Sequence, residues 1–237
     1  MKILAIDSSG MVASAAVVED DRLLGEYTVN HKKTHSQTLL PMIDEVVRML
    51  ELDLHTIDAI AVAAGPGSFT GLRIGSATAK GLGLALDKPL IPVPTVEGLA
   101  YNLAGSSVAV CPLMDARRNQ VYTGLYRFEG YQMYPVIGQC AAGIDEMIEK
   151  INEYGQAVTF LGDGTAVAAP YIEQSCRVPY TFAPAHLNKQ RASATAVLAM
   201  EYYRAGKIQT AAEHRPDYLR LSQAERERME AAQRAET

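Results

Sequence analysis

Ala64-Gly65-Pro66-Gly67-Ser68-Phe69-Thr70-Gly71-Leu72-Arg73-Ile74-Gly75 is the stretch on which the reading of this chain turns. It follows an apolar run, Ala59 to Ala63, and opens a Gly- and Ala-rich segment that reaches Asp87. The order is strand, tight turn, helix. Pro66 fixes φ, and Gly65 and Gly67 permit backbone conformations closed to other residues. Ser68 and Thr70 both suit a helix N-cap. The free amides of such a helix start can hold an anion, so two readings stand: a phosphate cradle, or a turn shaped by glycine for packing. Gly65-x-Gly67-x-x-x-Gly71 fails as a dinucleotide fingerprint, which belongs in the first strand-to-helix turn with an acidic residue about 20 positions on. Here other strands come first, and the next one, Leu90 to Val93, ends at Pro94. No G-x-x-x-x-G-K-[S/T] occurs, which excludes a P-loop nucleotidase.

Working outward, Lys2 to Ile6 reads as a buried strand and Asp7-Ser8-Ser9-Gly10 as a turn. Val12 to Glu19 and Leu23 to Val29 form a hairpin around Asp20-Asp21. Helices are expected at Ser36 to Glu51, Thr70 to Leu86 and Thr95 to Leu103, and Gly105-Ser106-Ser107 breaks the pattern. The second half repeats it. Strands are expected at Val108 to Met114, Asn119 to Phe128 and Gln132 to Gly138, then a helix at Asp145 to Tyr154. A strand at Ala157 to Leu161, a helix after Gly164 and a strand near Val178 to Phe182 precede a helix at Ser193 to Ala205, with Gly206 at its end. Two βββαβα units in tandem predict an α/β protein of two RNase H-like lobes, the actin, sugar-kinase and Hsp70 architecture. The expected division is residues 1–104, a smaller lobe 105–210, and a tail 211–237 in which Ser222-x-x-Glu225 offers a capping box to a mostly polar helix, Ser222 to Ala235.

The 237 residues suffice for a sizeable core, and a net charge of −5 disfavours autonomous nucleic-acid binding. Three cysteines, Cys111, Cys140 and Cys176, lie far apart without a C-x-x-C and read as buried thiols in a reducing compartment. Asp7 ends the first apolar run too early for a signal peptide, and no run approaches membrane-spanning length, so a cytoplasmic protein without membrane contact is expected.

Candidate chemistry is sparse. Asp7, Ser8 and Ser9 sit where the sugar-kinase and actin class holds its first phosphate loop, and an Asp there can hold a magnesium-coordinated phosphate through water. An ordinary turn explains them equally. His31-Lys32-Lys33-Thr34-His35 has H-x-x-x-H spacing, but the first histidine ends a strand and the second begins a helix, the wrong geometry for a shared metal. Asp115, Arg117 and Arg118 fall in a hairpin turn, either an exposed recognition loop or a solvated turn. No G-x-S-x-G elbow and no complete catalytic constellation is present.

In Ser36 to Glu51 the apolar residues, among them Leu39, Met42, Ile43, Val46 and Met49, fill about half the circumference. That is wider than one sheet requires, and predicts either contact with a partner chain or a neighbouring helix of the same lobe. The next helix carries Gly71, Gly75, Ala79 and Gly83 on one i, i+4 row, with Arg73 and Ser76 beside it and Gly81 off it. Helix-interior glycines cost up to about 1 kcal/mol each against alanine, and close approach to another helix would offset that. The pair is expected to form a seam with another chain.

Ile3-Leu4-Ala5-Ile6-Asp7-Ser8-Ser9, His35-Ser36-x-x-Leu39-Leu40-Pro41, the Gly65 to Gly75 block, Asp115-Ala116-Arg117-Arg118, Gly162-Asp163-Gly164 and Tyr218-Leu219-Arg220 occur in an order that resembles the TsaB family, also called YeaZ. These are the bacterial partners of TsaD in making N6-threonylcarbamoyladenosine at position 37 of tRNAs that read codons beginning with A. TsaD is similar over the first lobe and holds its catalytic metal on an H-x-E-G-H segment. The matching stretch is Thr95-Val96-Glu97-Gly98-Leu99, with threonine and leucine at both histidine positions, and neither replaces imidazole. The resemblance implies a non-catalytic activator: a heterodimer with TsaD, TsaE reached through that complex, tRNA met only within it, a homodimer in isolation, and ATP and metal on the partners rather than bound strongly here. A small-molecule kinase of the same fold class, or a metallopeptidase, are the competing readings.

Overall fold

The computed structural model describes residues 1–31 and 34–219. Lys32, Lys33, Arg220 and the expected helix Ser222 to Ala235 with its capping box lie outside the described residues. The first half runs β1 (Lys2–Asp7), β2 (Val12–Glu19), β3 (Arg22–Asn30), α1 (His35–Met49), β4 (Ala59–Gly65), α2 (Phe69–Leu86), β5 (Leu90–Pro94) and α3 (Thr95–Ala100). The second runs β6 (Ala109–Asp115), β7 (Gln120–Glu129), β8 (Gln132–Gly143), α4 (Ile144–Tyr154), β9 (Val158–Leu161), α5 (Thr165–Ser175), β10 (Tyr180–Phe182) and α6 (Ala192–Arg204). Each half builds a five-stranded sheet, in the order β3-β2-β1-β4-β5 and, on the same plan, β8-β7-β6-β9-β10. In both, three antiparallel strands lead into two parallel additions. This is the doubled actin and sugar-kinase fold.

Alternation along β1 assigns the layers. Leu4 and Ile6 face α1 and α2, where they pack with Leu39, Ile43 and Val46. Ile3 and Ala5 face the opposite way, against Ala192, Ala196, Ala199 and Met200 of α6. In the second sheet Cys111 and Leu113 meet α4 and α5, while Val110 and Met114 meet Val96, Leu99 and Ala100 of α3. The third helix of each half therefore packs on the sheet of the other. Helix α6, which the sequence groups with the smaller lobe 105–210, thus covers the second face of the first sheet. Two side chains of that sheet hold it there. Ser14 Oγ accepts the Ala192 amide at 2.9 Å, and Glu26 Oε1 accepts the Ser193 amide at 3.0 Å and hydroxyl at 2.7 Å. The other Glu26 oxygen pairs with Arg191.

The segment after α6 is packed as well. Its described part, from Lys207 to Leu219, runs as a strap back across the first lobe, so the expected tail 211–237 begins packed on that lobe. Gln209 and Leu90 exchange both backbone hydrogen bonds, at 2.8 Å each, on the free edge of β5. Ala211 enters the core beside Ala79 and Leu90. The Asp217 amide donates to the Ala64 carbonyl at 2.7 Å, and a Cβ on Gly65 (φ +122°) would stand 2.1 Å from the Asp217 carbonyl oxygen. That approach makes Gly65 a glycine. Strand β8 also runs past the expected end at Gly138. Thr123 pairs with Cys140 and Leu125 with Ile137, so a bulge absorbs Gly138 and Gln139 and pairing resumes to Gly143.

His214 anchors the strap. It is buried, its Nδ1 meets Gln209 Oε1 at 3.1 Å, and its carbonyl accepts from Lys80 Nζ at 3.2 Å. Burial, and then the charges of Lys80 and Arg215, hold its imidazole below the ordinary value of 6.5. The unfolded chain therefore takes up this proton first as the pH falls, and folding stability declines below about pH 6.5 until the native imidazole itself titrates. Urea unfolding at about pH 7.5 and about pH 5.5 is expected to show this loss, and His214→Asn to reduce it. An unchanged pH dependence in the variant would assign it to other groups.

Candidate functional site

The Asp7 to Gly10 turn is sealed by α2. Ser68 is the helix N-cap: its Oγ accepts the Gly71 amide at 3.3 Å, and its own amide donates to the Ser9 carbonyl at 2.6 Å. Ser8 Oγ donates to the Gly71 carbonyl at 2.9 Å. Asp7 Oδ1 accepts both the Ser9 amide, at 2.9 Å, and the Ser9 hydroxyl, at 2.6 Å. Asp7, Ser8 and Ser9 are each at most 2% exposed. Burial pushes the Asp7 carboxyl above its ordinary value, against the two Ser9 hydrogen bonds and nearby His35, which lower it. The helix start that reads as an anion cradle thus spends its capping groups on its own chain. The three residues expected as weak cofactor ligands serve packing in this structure, and they do not fit a nucleotide phosphate.

Thr95 and Leu99 share one face of α3. Thr95 Oγ1 accepts the Gly65 amide at 3.1 Å, and Leu99 lies against Gly162 of the second lobe, where a Cβ would come within 3.1 Å of Leu99 Cδ2. A hydroxyl committed to the backbone and an aliphatic plug between the lobes do not fit a metal. Among the described residues no group of His, Cys, Asp and Glu is arranged to hold one. His31 and His35 do not converge: His31 is exposed beyond β3, whereas His35 Nε2 meets the Gly10 carbonyl at 2.8 Å. Glu97 points off that face and accepts a hydrogen bond from the Tyr202 hydroxyl. Cys111 is buried, which pushes its thiol up to about 12, while Cys140 and Cys176 are only half-buried.

The second lobe places Asp115 at the end of β6, the position that Asp7 holds at the end of β1. Here the turn is exposed. Arg117, Arg118 and Asn119 take consecutive left-handed conformations, at φ +63°, +57° and +56°, which costs about 1–2 kcal/mol for each ordinary residue. Asp115 Oδ1 accepts the Arg117 amide at 2.7 Å and Asp163 Oδ1 the Asp115 amide at 3.2 Å, tying the turn to Gly162-Asp163-Gly164. Burial raises the Asp163 carboxyl despite that bond. Asp115, Arg117 and Arg118 are thus held out to solvent together.

Most of the residues expected at a seam on α1 and α2 are turned into the chain's own core. Leu39, Met42, Ile43 and Val46 are buried within the chain, and so are Gly71, Gly75, Ser76 and Ala79. The wide apolar arc of α1 is filled by the chain's own sheet and by α2. The glycine row of α2 faces inward, onto Ser8, Val62 and Leu90. Of the expected set only Met49 and Arg73 are exposed, Met49 at 70% and Arg73 with its guanidinium 4.0 Å above the Phe69 ring. The outward face is instead made by Leu40, 57% exposed, and by Ala77, Gly81 and Leu84, the last 71% exposed. Ala77, Gly81 and Leu84 stand at i, i+4 and i+7, one stripe of the helix. A Cβ on Gly81 would meet nothing. The sequence signal was present, since Gly81 is the glycine that falls off the i, i+4 row, but periodicity alone does not say which row faces in.

A family model described as "TsaD: tRNA N6-adenosine threonylcarbamoyltransferase" matches residues 22–228. The chain is 34% identical over 228 residues to "tRNA threonylcarbamoyladenosine biosynthesis protein TsaB" of Bacillus subtilis, covering 95% of this chain and 96% of that protein. The protein of the same name from Haemophilus influenzae is 38% identical over 128 residues, 52% of each chain. The solved structure titled "YeaZ from Pseudomonas aeruginosa" matches with a TM-score of 0.76 at 26% identity, covering 92% of this chain and 99% of that one. The model named for the transferase and the relatives named TsaB overlap along most of the chain. On the near full-length match and the shared two-lobed fold, the chain belongs to the TsaB (YeaZ) family.

Proposed function

We propose that this protein is a non-catalytic subunit that binds and activates a TsaD-type transferase for formation of N6-threonylcarbamoyladenosine at position 37 of tRNAs reading codons beginning with A. The pathway is the one carried in the names of its relatives. The observation that carries the subunit reading is Gly81. A glycine inside a helix costs up to about 1 kcal/mol against alanine, and this one has open space around it and exposed Leu84 one turn on. Nothing among the described residues requires it, whereas close approach of a second helix would. The partner is a TsaD-type chain, with TsaE engaged through that heterodimer and tRNA bound by the complex. In isolation the same face closes a homodimer, since an isologous contact covers it. ATP and metal belong to the partners, and the complex works in the cytoplasm. No described helix is long and apolar enough to cross a membrane.

Activation follows if docking favours the transferase conformation that turns over, to the extent of the differential binding energy. Threonylcarbamoyl transfer to tRNA is expected to be absent with this chain alone, weak with the TsaD-type partner and TsaE, and restored when the chain is added. Turnover by the purified chain alone, or no response to its addition, would overturn the reading.

A further inference from the structure

The turn between β6 and β7 has a backbone shape that its hairpin requires and residues that this shape does not favour. The Gln120 amide donates to the Arg117 carbonyl at 3.2 Å, so Arg118 and Asn119 sit at the centre of a tight turn. Left-handed backbone at both central positions matches the twist of the flanking strands. Glycine, asparagine and aspartate adopt it at least cost, and Asn119 is one of these. Arg117 and Arg118, at φ +63° and +57°, are not. The hairpin explains the shape of the turn and leaves the two arginines to be explained.

Neither guanidinium has a task within the chain. Arg48, Arg127, Arg191 and Arg204 are each paired with a carboxylate, and Arg73 lies over Phe69. Arg117 and Arg118 are exposed, and among the described residues neither forms an ion pair. The acids beside them have other partners. Asp115 holds the Arg117 amide, Asp163 holds the Asp115 amide, and Glu146 pairs with Lys150. Asp145 lies in the first turn of α4, whose Ile144 amide donates to the Asn119 carbonyl at 3.2 Å, and a helix start stabilises such a charge. Lys189 adds a cation at this end of the second sheet, next to Asn188, whose Oδ1 accepts the Gly162 amide at 2.6 Å.

Such a tip fits an anion carried by another molecule. The exposed residues of the turn, Asp115, Arg117, Arg118 and Asn119, are all polar. Protein contacts are anchored by buried aromatic and apolar groups, and this turn presents none. A nucleic-acid backbone needs none, since guanidinium forks and asparagine amides bind phosphate oxygens directly. The net charge of −5 disfavours RNA binding by this chain alone, so the contact adds to one made by a second chain.

We propose that Arg117 and Arg118 hold backbone phosphates of tRNA in the assembled transferase complex. This rests on the subunit reading, which supplies the RNA and the second chain. It adds a place where this chain itself meets RNA, on the second lobe and apart from the α1–α2 face.

The test is binding of an unmodified tRNA transcript to the complex of the full chain with its TsaD-type partner, between about 0.05 and 0.3 M salt. Replacing both residues, Arg117→Ala with Arg118→Ala, is expected to weaken tRNA binding roughly tenfold at about 0.15 M salt. The slope of log affinity against log salt is expected to fall by about one to two, as for one or two lost phosphate contacts. Affinity for the TsaD-type partner is expected to be unchanged. Arg118→Gly is expected to weaken tRNA binding yet raise the thermal midpoint of the free chain by about 1–4 °C, because glycine relieves the left-handed position. Unchanged tRNA affinity and slope, in a double variant that still forms the complex, would overturn this proposal alone and leave a solvated turn. A double variant that loses the partner instead would overturn it in favour of a protein contact. Failure of the natural chain to form the complex would overturn the subunit reading, and this proposal with it.

Discussion

Gly81→Arg is expected to abolish association with the TsaD-type partner while leaving the free chain folded. The glycine stands in the middle of the exposed stripe of α2, between Ala77 and Leu84, and a Cβ there meets no atom of the described residues within 4 Å. An arginine therefore has room in the monomer and gains helix propensity over glycine. Across a closely packed helix pair it has neither room nor a partner for its charge, and a buried unpaired charge costs about 3–5 kcal/mol. At about 1.4 kcal/mol per decade, affinity falls by at least a hundredfold. Calorimetric titration into the TsaD-type partner measures this directly, and sedimentation of the variant alone reports the homodimer, which the same face is expected to close. Circular dichroism should be unchanged, and stimulation of tRNA modification should fall with binding. Unchanged affinity would place the partner elsewhere. The exposed groove between α1 and β3, with Met49 and Tyr27 on its walls, would then be the surface to examine.

The choice of Gly81 over Met42 or Ser76 shows where sequence reading stops. The breadth of the α1 arc was legible, but breadth has two sources, a partner or a second internal neighbour. Met42 and Val46 are buried by the chain's own sheet, so a charge at Met42 would test folding rather than assembly. Ser76 is 5% exposed, and an arginine there would do the same. Element order gave the two lobes because hydrophobic period and turn residues are local properties. Which sheet α6 covers depends on residues far off in sequence: Ser14 and Glu26 receive the first amides of a helix that begins at Ala192. The strap was hidden for the same reason. Its short polar run, Thr210 to Pro216, has no periodicity to mark it, and only Gly65 near Asp217 and buried His214 reveal that it is packed. That Thr95 and Leu99 offer a metal no imidazole was legible, because ligand chemistry is a property of residue type. What those residues do instead, bonding Gly65 and plugging the space beside Gly162, is not.

Glycine to alanine at two positions of α2 is expected to change stability in opposite directions. At Gly71 a Cβ would lie 2.1 Å from the Ser8 carbonyl oxygen, and the neighbouring inward glycines are as tightly held: 2.3 Å to the Ser9 carbonyl oxygen at Gly67 and 2.5 Å to Ser8 Oγ at Gly75. Backbone atoms at the end of β1 cannot give way without moving Asp7, so Gly71→Ala must push α2 off the sheet. Overpacking of this kind costs about 3 kcal/mol or more, which lowers the thermal midpoint by roughly 6–12 °C for a chain of this size. At Gly81 the same substitution meets open space. It gains helix propensity and restricts the unfolded chain, stabilising the free protein by about 0.5–1 kcal/mol. Urea unfolding of the two variants therefore separates the two settings of glycine in one helix: Gly71 admits the helix to its own sheet, and Gly81 stands on the open face proposed for a partner. The outcome also decides between the two readings of the Gly65 to Gly75 block. If its glycines made an anion cradle, Gly71→Ala would spare stability and alter Mg-ATP binding. If they let α2 rest on the Ser8 and Ser9 backbone, stability collapses and nucleotide has no part in it.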